Sequence, residues 1–433
     1  MSDMEKRSNV FGNRNFRLLF LEGLISEIGY AIYSFAVSFY LLDISGNNAM
    51  LQGTFLAACS AAGLIAMPFG GVIGDRYSKS RVMMLCDIVR GALVLITALV
   101  TVTAGSKAVQ MAAFFAVGVI GSVAAGIFSP AQSALLPYIV DDDRIQQASS
   151  YTTVRTSLTS ILGSALAAML YSLLPVPVLF LGVGICYIAA GITAMLIRYE
   201  ESASGGRLSV SDFFSDMKDG FTYLTGRKAL VSLLASIVFI NFFMSPIYSN
   251  FVPYFIRTDL PAAGPYIFDK RLPPEMWSSV FSILLSVSSL IASVIMSARK
   301  QEEKVGRKTA LRLCMTAAVM ICITAAYMLL AGKKISMSAF LVILSLASSI
   351  MGVLSAFINI PFSTVLMRIV DRDKLSKVAS IINTVSQCMM PLSSVIAGAV
   401  LQNAGSAPLL CVCTAGFTAV ALMLLFGRET GNI

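Results

Sequence analysis

The chain contains no histidine among its 433 residues. This absence excludes histidine-ligated metal sites, serine–histidine–aspartate triads and histidine proton relays. Charged residues make up only 13% of the chain, whereas soluble domains carry about 25%. The eight cysteines form no CxxC pair and lie inside apolar runs, so they read as small buried side chains. No phosphate-binding Gly-x-x-x-x-Gly-Lys-Ser/Thr loop is present. We therefore expect no enzyme, no built-in ATPase, no cofactor and no metal.

Apolar residues are abundant, at 57% of the chain, and the mean hydropathy is +0.80. They are concentrated in runs of the length, about 20 residues, that crosses a bilayer as a helix. These runs predict twelve transmembrane helices at 16–42, 50–74, 82–104, 109–136, 146–173, 176–197, 229–256, 276–298, 309–331, 336–366, 376–402 and 406–426. The expected fold class is an all-α membrane protein.

The lysines and arginines indicate the orientation. With both termini in the cytoplasm, and with the end turn of each span counted with its adjoining loop, the inside segments hold 24 of the 32 basic residues, the outside segments six and the span interiors two. Such a bias follows the positive-inside rule. We therefore expect a multi-pass protein of the cell (inner) membrane with cytoplasmic termini. The net charge of +9 reflects this topology and contact with the lipid bilayer, and we expect no nucleic-acid partner.

The two halves of the chain are similar to each other. The segment Ile139–Ile145 reads IVDDDRI, and Ile369–Leu375 reads IVDRDKL. This repeat predicts two six-helix bundles, at 1–197 and 229–433, related as a parallel repeat. They are joined by a cytoplasmic linker at 198–228, whose apolar residues recur at helical spacing. We interpret the end of the linker as an amphipathic helix that either lies on the inner membrane surface or packs against a bundle.

The loop after the second span carries closely spaced glycines, one acid and three bases, in the order Gly71-VIG-Asp75-Arg76-YS-Lys79-S-Arg81. Asp75 can cap the next helix or pair with a basic residue of the other half, which would close the inner side. Gly71 and Gly74 allow helices to approach closely. The segment therefore reads as a gating motif, although its bases would also serve as topology signals.

This loop resembles the one between helices 2 and 3 in the major facilitator superfamily. The stretch Phe128-SPAQSALLP, followed by an acidic loop, is similar to the macrolide-efflux group of drug:proton antiporters, which includes siderophore exporters. The resemblance implies two pseudo-symmetric bundles that rock about a midplane site. It also implies a monomer that exchanges protons for a small amphipathic substrate.

Three predicted spans, the first, third and fifth, carry ionisable residues that a bilayer makes costly and that are functional candidates by default. Glu22 and Glu27 lie on the first span, about 140° apart around the helix. Glu27 is nearer mid-membrane and is our candidate proton carrier. Arg155, on the fifth span, needs a carboxylate partner, for which Glu22 and Glu27 are the candidates. The pair would be a proton-controlled lock, an anion site or a static ion pair.

Asp87 and Arg90 lie three residues apart and therefore share one face of the third span. They lie close to the predicted inner surface of the membrane. We interpret them as a structural charge network that involves the loop of Asp75, separate from any substrate site.

Polar and aromatic residues in the spans indicate a cavity. Alignment of the halves places Asn241 opposite Glu27, as a substrate or proton-coupling candidate. Further cavity candidates are Tyr30, Tyr33, Phe242, Asn359, Asn383 and Gln387. An aromatic wall with few charges suits amphipathic ligands. We therefore expect a secondary transporter that exports drug-like or siderophore-like molecules. The alternatives are a nutrient importer or facilitator of the same fold, and a non-transporting receptor or lipid-handling scaffold.

Overall fold

The computed structural model describes residues 10–141, 144–199, 222, 228–260, 266–267, 270–271, 273–297, 305–369 and 384–426. A short 3-10 turn, Val10–Gly12, precedes the first long helix. The helices of the first half are α1 (Arg14–Ser45), α2 (Ala49–Arg76), α3 (Lys79–Thr103), α4 (Lys107–Ile139), α5 (Ile145–Leu173) and α6 (Val176–Met195).

The second half begins with α7 (Lys228–Pro246), a π-helical turn (Ile247–Phe251) and α8 (Val252–Thr258), which together form one span. It continues with α9 (Met276–Ser297), α10 (Val305–Ala331), α11 (Met337–Ile369), α12 (Met390–Ala404) and α13 (Ser406–Phe426). Between α8 and α9, the two-residue strands β1 (Tyr266–Ile267) and β2 (Lys270–Arg271) pair in antiparallel fashion. Pro246 immediately precedes the π-helical turn, and its missing N–H is a recognised cause of such irregular turns.

The prediction of twelve transmembrane helices is confirmed, because the described residues contain 12 helices long and apolar enough to cross a membrane. Their outer surfaces carry large exposed apolar side chains such as Leu99, Val102 and Met423. In a soluble protein such surfaces would favour aggregation, whereas in a bilayer they face lipid tails.

The chain divides into two compact units, one made of Met1–Ser45 and Ala58–Phe213 and the other of Gly46–Ala57 and Phe214–Ile433. The first turns of α2 thus belong to the second unit. The predicted amphipathic linker helix falls on residues 200–221 and 223–227, which lie outside the described residues.

The same order of helix packing occurs in both units. In the first unit α1 packs on α5 and α6, and α3 packs on α4 and α6. In the second unit α7 packs on α12 and α13, and α10 packs on α11 and α13. If the six spans of each half are numbered from one to six, the same pairs pack in both units, namely spans 1 and 5, 1 and 6, 3 and 4, and 3 and 6. The two pseudo-symmetric six-helix bundles predicted from the repeat are therefore present.

Glycines mark equivalent close contacts in the two units. A Cβ atom on Gly126 of α4 would lie 2.9 Å from the Ala66 side chain of α2. A Cβ atom on Gly352 of α11 would overlap the backbone carbonyl of Leu285 on α9. Small residues let helices approach to backbone contact inside a membrane, where packing replaces the hydrophobic effect as the source of association.

The prediction of buried cysteines is wrong at two positions. All eight cysteines are free thiols, and six are buried or half-buried, but Cys322 and Cys388 are exposed. An apolar helix face in a bilayer needs no protein cover, so an apolar run does not guarantee that each of its residues is buried.

Candidate functional site

The charged residues of the first predicted span meet a helix from the same unit. Glu27 of α1 and Arg155 of α5 form an ion pair, with Arg155 Nη2 at 2.8 Å from Glu27 Oε1. Thr159, one turn after Arg155 on α5, donates to Glu27 Oε2 at 2.6 Å. Arg155 Nη1 also donates to the Leu19 carbonyl at 3.3 Å. Of the two predicted carboxylate partners of Arg155, the structure selects Glu27.

The missing side chain of Gly23 makes room for this guanidinium. A Cβ atom at Gly23 would overlap the Arg155 guanidinium, which lies against the backbone of α1 at this point. The side chain of Arg155 is only 4% exposed, whereas that of Glu27 is 31% exposed. The pair therefore has one deeply buried end and one partly exposed end.

The other carboxylate of α1 points into the unit. Glu22 is fully buried, and its Oε2 accepts a hydrogen bond from Gln132 Nε2 of α4 at 3.2 Å. Glu22 interacts electrostatically with Asp87, which is held against the same face of α1 by Ser26. Asp87 is also fully buried. The structure thus brings together two residues that the sequence analysis assigned to different sites.

Asp87 is held on its other side by Arg90. The two form an ion pair at 3.3 Å, and Ser26 of α1 donates to Asp87 Oδ1 at 3.2 Å. Arg90 Nη2 donates to the Tyr187 hydroxyl of α6 at 2.9 Å. Its guanidinium also lies over the Tyr187 ring, 4.3 Å from the centroid, and near the Phe128 ring at 5.8 Å. These aromatic faces stabilise a cation that has few water contacts.

We call the connected set the polar cluster; it consists of Glu22, Ser26, Glu27, Asp87, Arg90, Gln132, Arg155, Thr159 and Tyr187. Helices α1, α3, α4, α5 and α6 contribute to it, so it lies within the first unit. It contains three carboxyl groups and two guanidinium groups. Groups of this kind inside a membrane span can bind and release protons or hold a charged ligand.

The sequence analysis overlooked four members of the polar cluster, namely Ser26, Gln132, Thr159 and Tyr187. For two of them a signal was available, since Ser26 follows Glu22 and Thr159 follows Arg155 by four residues, which places each pair on one helix face. Gln132 and Tyr187 carry no local signal and are recruited by the packing of α4 and α6.

The structure describes the predicted gating motif only in part. Gly71, Gly74, Asp75 and Arg76 lie in the last turns of α2, and their side chains fall outside the described part of the structure. The expected link between Asp75 and Asp87 therefore also falls outside the description, and the gating role remains a prediction.

The two remaining bases of the motif differ in burial. Arg81 is exposed, whereas Lys79 is 5% exposed and its Nζ lies 4.3 Å from the centroid of the Tyr138 ring. The backbone N–H of Lys79 donates to the Tyr199 hydroxyl at 2.7 Å. Lys79 is thus a packed residue at the start of α3, held by a cation–π contact.

The cavity candidates of the first unit lie close to the polar cluster. Tyr30 is 55% exposed. Tyr33 is largely enclosed, with its ring centroid 5.9 Å from that of Phe180. Its hydroxyl is buried and has no hydrogen-bond partner among the described residues. A buried hydroxyl in this state is costly unless water or a ligand reaches it.

The cavity candidates of the second unit are mostly engaged locally. Asn241 donates to the Ser386 carbonyl at 3.3 Å, and Asn359 donates to the Ser355 carbonyl of its own helix at 2.9 Å. The Phe242 ring packs edge-on against Phe243, with the centroids 5.1 Å apart. Gln387 is exposed, and Asn383 lies outside the described residues.

No group of three or more cysteine, aspartate or glutamate side chains that could hold a metal ion occurs in the part of the chain that the structure describes. The chemistry that the polar cluster offers is that of carboxyl and guanidinium groups exchanging partners and protons in a dry environment.

Comparison with known proteins agrees with this architecture. The chain is 24% identical over 231 residues to macrolide efflux protein A of Streptococcus pyogenes, a match that covers 53% of this chain and 56% of the relative. It is 24% identical over 184 residues to the staphyloferrin A transporter of Staphylococcus aureus, covering 42% of this chain and 44% of the relative. The chain thus spans about half the length of these curated relatives.

The fold is shared with solved transporters. The crystal structure of the nucleoside transporter NupG matches with a TM-score of 0.72 at 12% identity, over 95% of this chain and 98% of that one. A sequence model of the Major Facilitator Superfamily matches residues 19–394 of this chain. With its twelve spans and its two repeated six-helix units, the chain belongs to the Major Facilitator Superfamily, whose members are transporters and not enzymes.

Proposed function

We propose that this protein is a secondary transporter that exports amphipathic, drug-like or siderophore-like molecules in exchange for protons. It works by alternating access as a monomer in the cell (inner) membrane, with both termini in the cytoplasm. The charge distribution of the loops supports the orientation, and the relatives named for macrolide efflux and staphyloferrin A transport support the substrate class.

The observation that carries the proposal is the Glu27–Arg155 pair inside a membrane span. An ion pair at this place is costly to form because both groups lose water. Ionisable residues that are kept inside a span despite this cost are therefore functional candidates. Its asymmetric exposure means that a proton or a cationic substrate can reach Glu27 while Arg155 stays enclosed. Binding at Glu27 would release Arg155, and this release is the event that we propose couples substrate to proton.

The other predicted residues have supporting roles in this proposal. Glu22 and Arg155 belong to the proton path, Asn241 is the candidate of the second unit for contact with substrate, and the motif Gly71–Arg81 controls the inner side. The aromatic side chains near the polar cluster, Tyr30 and Tyr33, would contact the apolar part of the substrate.

The test uses inside-out membrane vesicles that contain the wild type or the Glu27→Gln variant. Vesicles are offered macrolides, lipophilic cations and catecholate siderophores, with and without an imposed proton gradient. We expect gradient-driven uptake of at least one compound by the wild type. We expect the Glu27→Gln variant to lose the gradient dependence, because its side chain cannot be charged.

The matched control is Asp141→Asn, which removes a carboxylate that is 76% exposed and 3.9 Å from Arg144 at the surface. It should transport like the wild type. Uptake that stays gradient-driven in Glu27→Gln would remove this residue from the coupling path but retain the exporter. Substrate-dependent growth without efflux would favour the nutrient importer, and ligand binding without any movement across the membrane would favour the receptor or scaffold.

A further inference from the structure

The carboxyl pair formed by Glu22 and Asp87 is more completely buried than the Glu27–Arg155 pair. Both residues are 0% exposed. Each has one oxygen, Oε1 of Glu22 and Oδ2 of Asp87, that is buried without a hydrogen-bond partner in the described part of the chain. The two carboxyl groups nevertheless interact electrostatically, and Ser26, one turn after Glu22 on α1, holds Asp87 against the same face of that helix with a 3.2 Å hydrogen bond. Two ionised carboxylates cannot bond to each other, because each group only accepts, whereas one added proton supplies the missing donor.

The charge count of the polar cluster also favours one bound proton. Glu22, Glu27 and Asp87 face only two cations, Arg90 and Arg155, so full ionisation leaves one uncompensated negative charge. A buried unpaired charge inside a membrane span is strongly unfavourable. A single proton on the carboxyl pair makes the cluster neutral and also satisfies the two carboxyl groups.

No other neighbour supplies the missing charge within the described residues. The titratable groups that complete the surroundings are Tyr30 and Tyr33 of α1, Cys86 of α3 and Tyr187 of α6. These tyrosines and this cysteine are of types that are uncharged at neutral pH. The nearest polar side chain of α4 is Gln132, which is also neutral.

Arg155 connects the buried carboxyl pair to Glu27, the partly exposed carboxylate of the cluster. Its guanidinium lies against Gly23, between the positions of Glu22 and Glu27 along α1. It is bonded to Glu27 and interacts electrostatically with Glu22, and its Nε is buried without a partner in the described chain. The guanidinium thus has unused donor capacity and a second carboxyl group nearby.

We propose that Glu22 and Asp87 share one buried proton. We also propose that Arg155, by moving from Glu27 to Glu22, couples the release of this proton to the binding of another proton at Glu27. This proposal deepens the proposed function and rests on its proton coupling. In one state Arg155 pairs with Glu27 while the proton lies between Glu22 and Asp87. In the other state a proton binds Glu27, Arg155 moves to Glu22, and the proton of the buried pair is released to water.

The exchange conserves charge and protons. Each state holds one proton, two guanidinium cations and two carboxylate anions, so the cluster is neutral throughout. One proton enters at Glu27 as another leaves the buried pair. The cost of an unpaired charge is therefore avoided in both states, and only the state between them is charged.

The test is infrared spectroscopy of the purified full-length protein in detergent at neutral pH, which detects the C=O stretch of a protonated carboxyl group. We expect such a band in the wild type. We expect its loss in Glu22→Gln and in Asp87→Asn, because either change leaves two carboxylates for two guanidinium groups. We also expect its loss in Glu27→Gln, because the uncharged amide frees Arg155 to pair with Glu22. The surface variant Asp141→Asn should keep the band.

A measurement on the wild type alone protects the test against variants that fail to fold. Labelling the side-chain carboxyl carbon of glutamate or of aspartate with carbon-13 should shift the band and show which residue type carries the proton. Absence of the band in the wild type, or its survival in both Glu22→Gln and Asp87→Asn, would overturn the shared proton. Survival in Glu27→Gln alone would overturn the exchange through Arg155.

The infrared result is independent of transport. A wild type that shows the band but no gradient-driven uptake would contradict the proposed function and support the buried proton site. A wild type that transports with the gradient but lacks the band would contradict the site and support the function.

Discussion

Substitution of Gly23 tests the physical basis of the polar cluster with the smallest possible change. Alanine adds one methyl group, which would overlap the Arg155 guanidinium. Arginine is flexible, so the overlap is relieved when the guanidinium moves away from α1. This movement breaks the 2.8 Å ion pair with Glu27 and the hydrogen bond to Leu19. The predicted loss therefore comes from the ion pair and not from a rigid clash.

The size of the effect follows from two opposing contributions. Breaking a buried ion pair by removing one partner costs about 3–5 kcal/mol. Glu27 is 31% exposed and regains some water, so the lower end of this range applies. Replacing glycine by alanine inside a helix stabilises it by about 1 kcal/mol. We therefore expect Gly23→Ala to lower the free energy of unfolding by about 2 kcal/mol.

The assay is equilibrium unfolding of purified protein in mixed detergent micelles. The matched control is Gly29→Ala on the same helix, where the new Cβ atom would lie 3.7 Å from the Cys186 Cβ, an ordinary contact. This control should be neutral or more stable than the wild type. In an Arg155→Met background, Gly23→Ala should no longer destabilise, because the group that it displaces is gone. Equal stabilities for Gly23→Ala and Gly29→Ala would refute the reasoning.

Two further predictions concern hydrogen bonds inside each unit, and both are measured as free energies of unfolding in the same assay. Tyr187→Phe keeps the ring but removes the hydroxyl that accepts a 2.9 Å hydrogen bond from Arg90. It should lower the free energy of unfolding by about 1 kcal/mol. A variant as stable as the wild type would show that this bond does not form. Asp259→Asn weakens the acceptor for the hydroxyls of Tyr327, at 2.6 Å, and Ser406, at 3.0 Å, and should cost about 1–2 kcal/mol. The surface control Asp141→Asn should change stability by less than about 0.5 kcal/mol, and an equal loss in both aspartate variants would contradict the second prediction.

The sequence predicts the fold well because the bilayer imposes strong constraints. A helix that crosses lipid must satisfy its own backbone, and its apolar run is long and easy to locate. The predicted span 406–426 coincides with α13, Ser406–Phe426. The basic loops and the internal repeat then constrain orientation and symmetry.

The candidate site was predicted only in part, because burial and pairing depend on how the helices pack. The rarity of charge in spans identified Glu22, Glu27, Asp87, Arg90 and Arg155 from the sequence. The same rule could not show that Glu22 turns toward Asp87 and Glu27 toward Arg155. Those choices depend on how the helices of the first unit pack around α1, and a single sequence does not contain that information.

The interpretation of Asp87 and Arg90 changes most. Their spacing indicated a local structural network, and they do form an ion pair with each other. However, Ser26 of α1 donates a hydrogen bond to Asp87 at 3.2 Å, and this contact brings the pair to the face of α1 that carries Glu22. A network that is structural by its geometry can then also hold the buried proton that we propose.

The most direct test of the central claim compares gradient-driven uptake in vesicles of opposite orientation. Wild-type protein is placed in inside-out and in right-side-out membrane vesicles, and an acidic interior is imposed in the first and an acidic exterior in the second. The account predicts that an amphipathic substrate accumulates in the inside-out vesicles and that an uncoupler abolishes this accumulation. Gradient-driven accumulation in the right-side-out vesicles, or accumulation that is indifferent to the uncoupler, would contradict proton-coupled export.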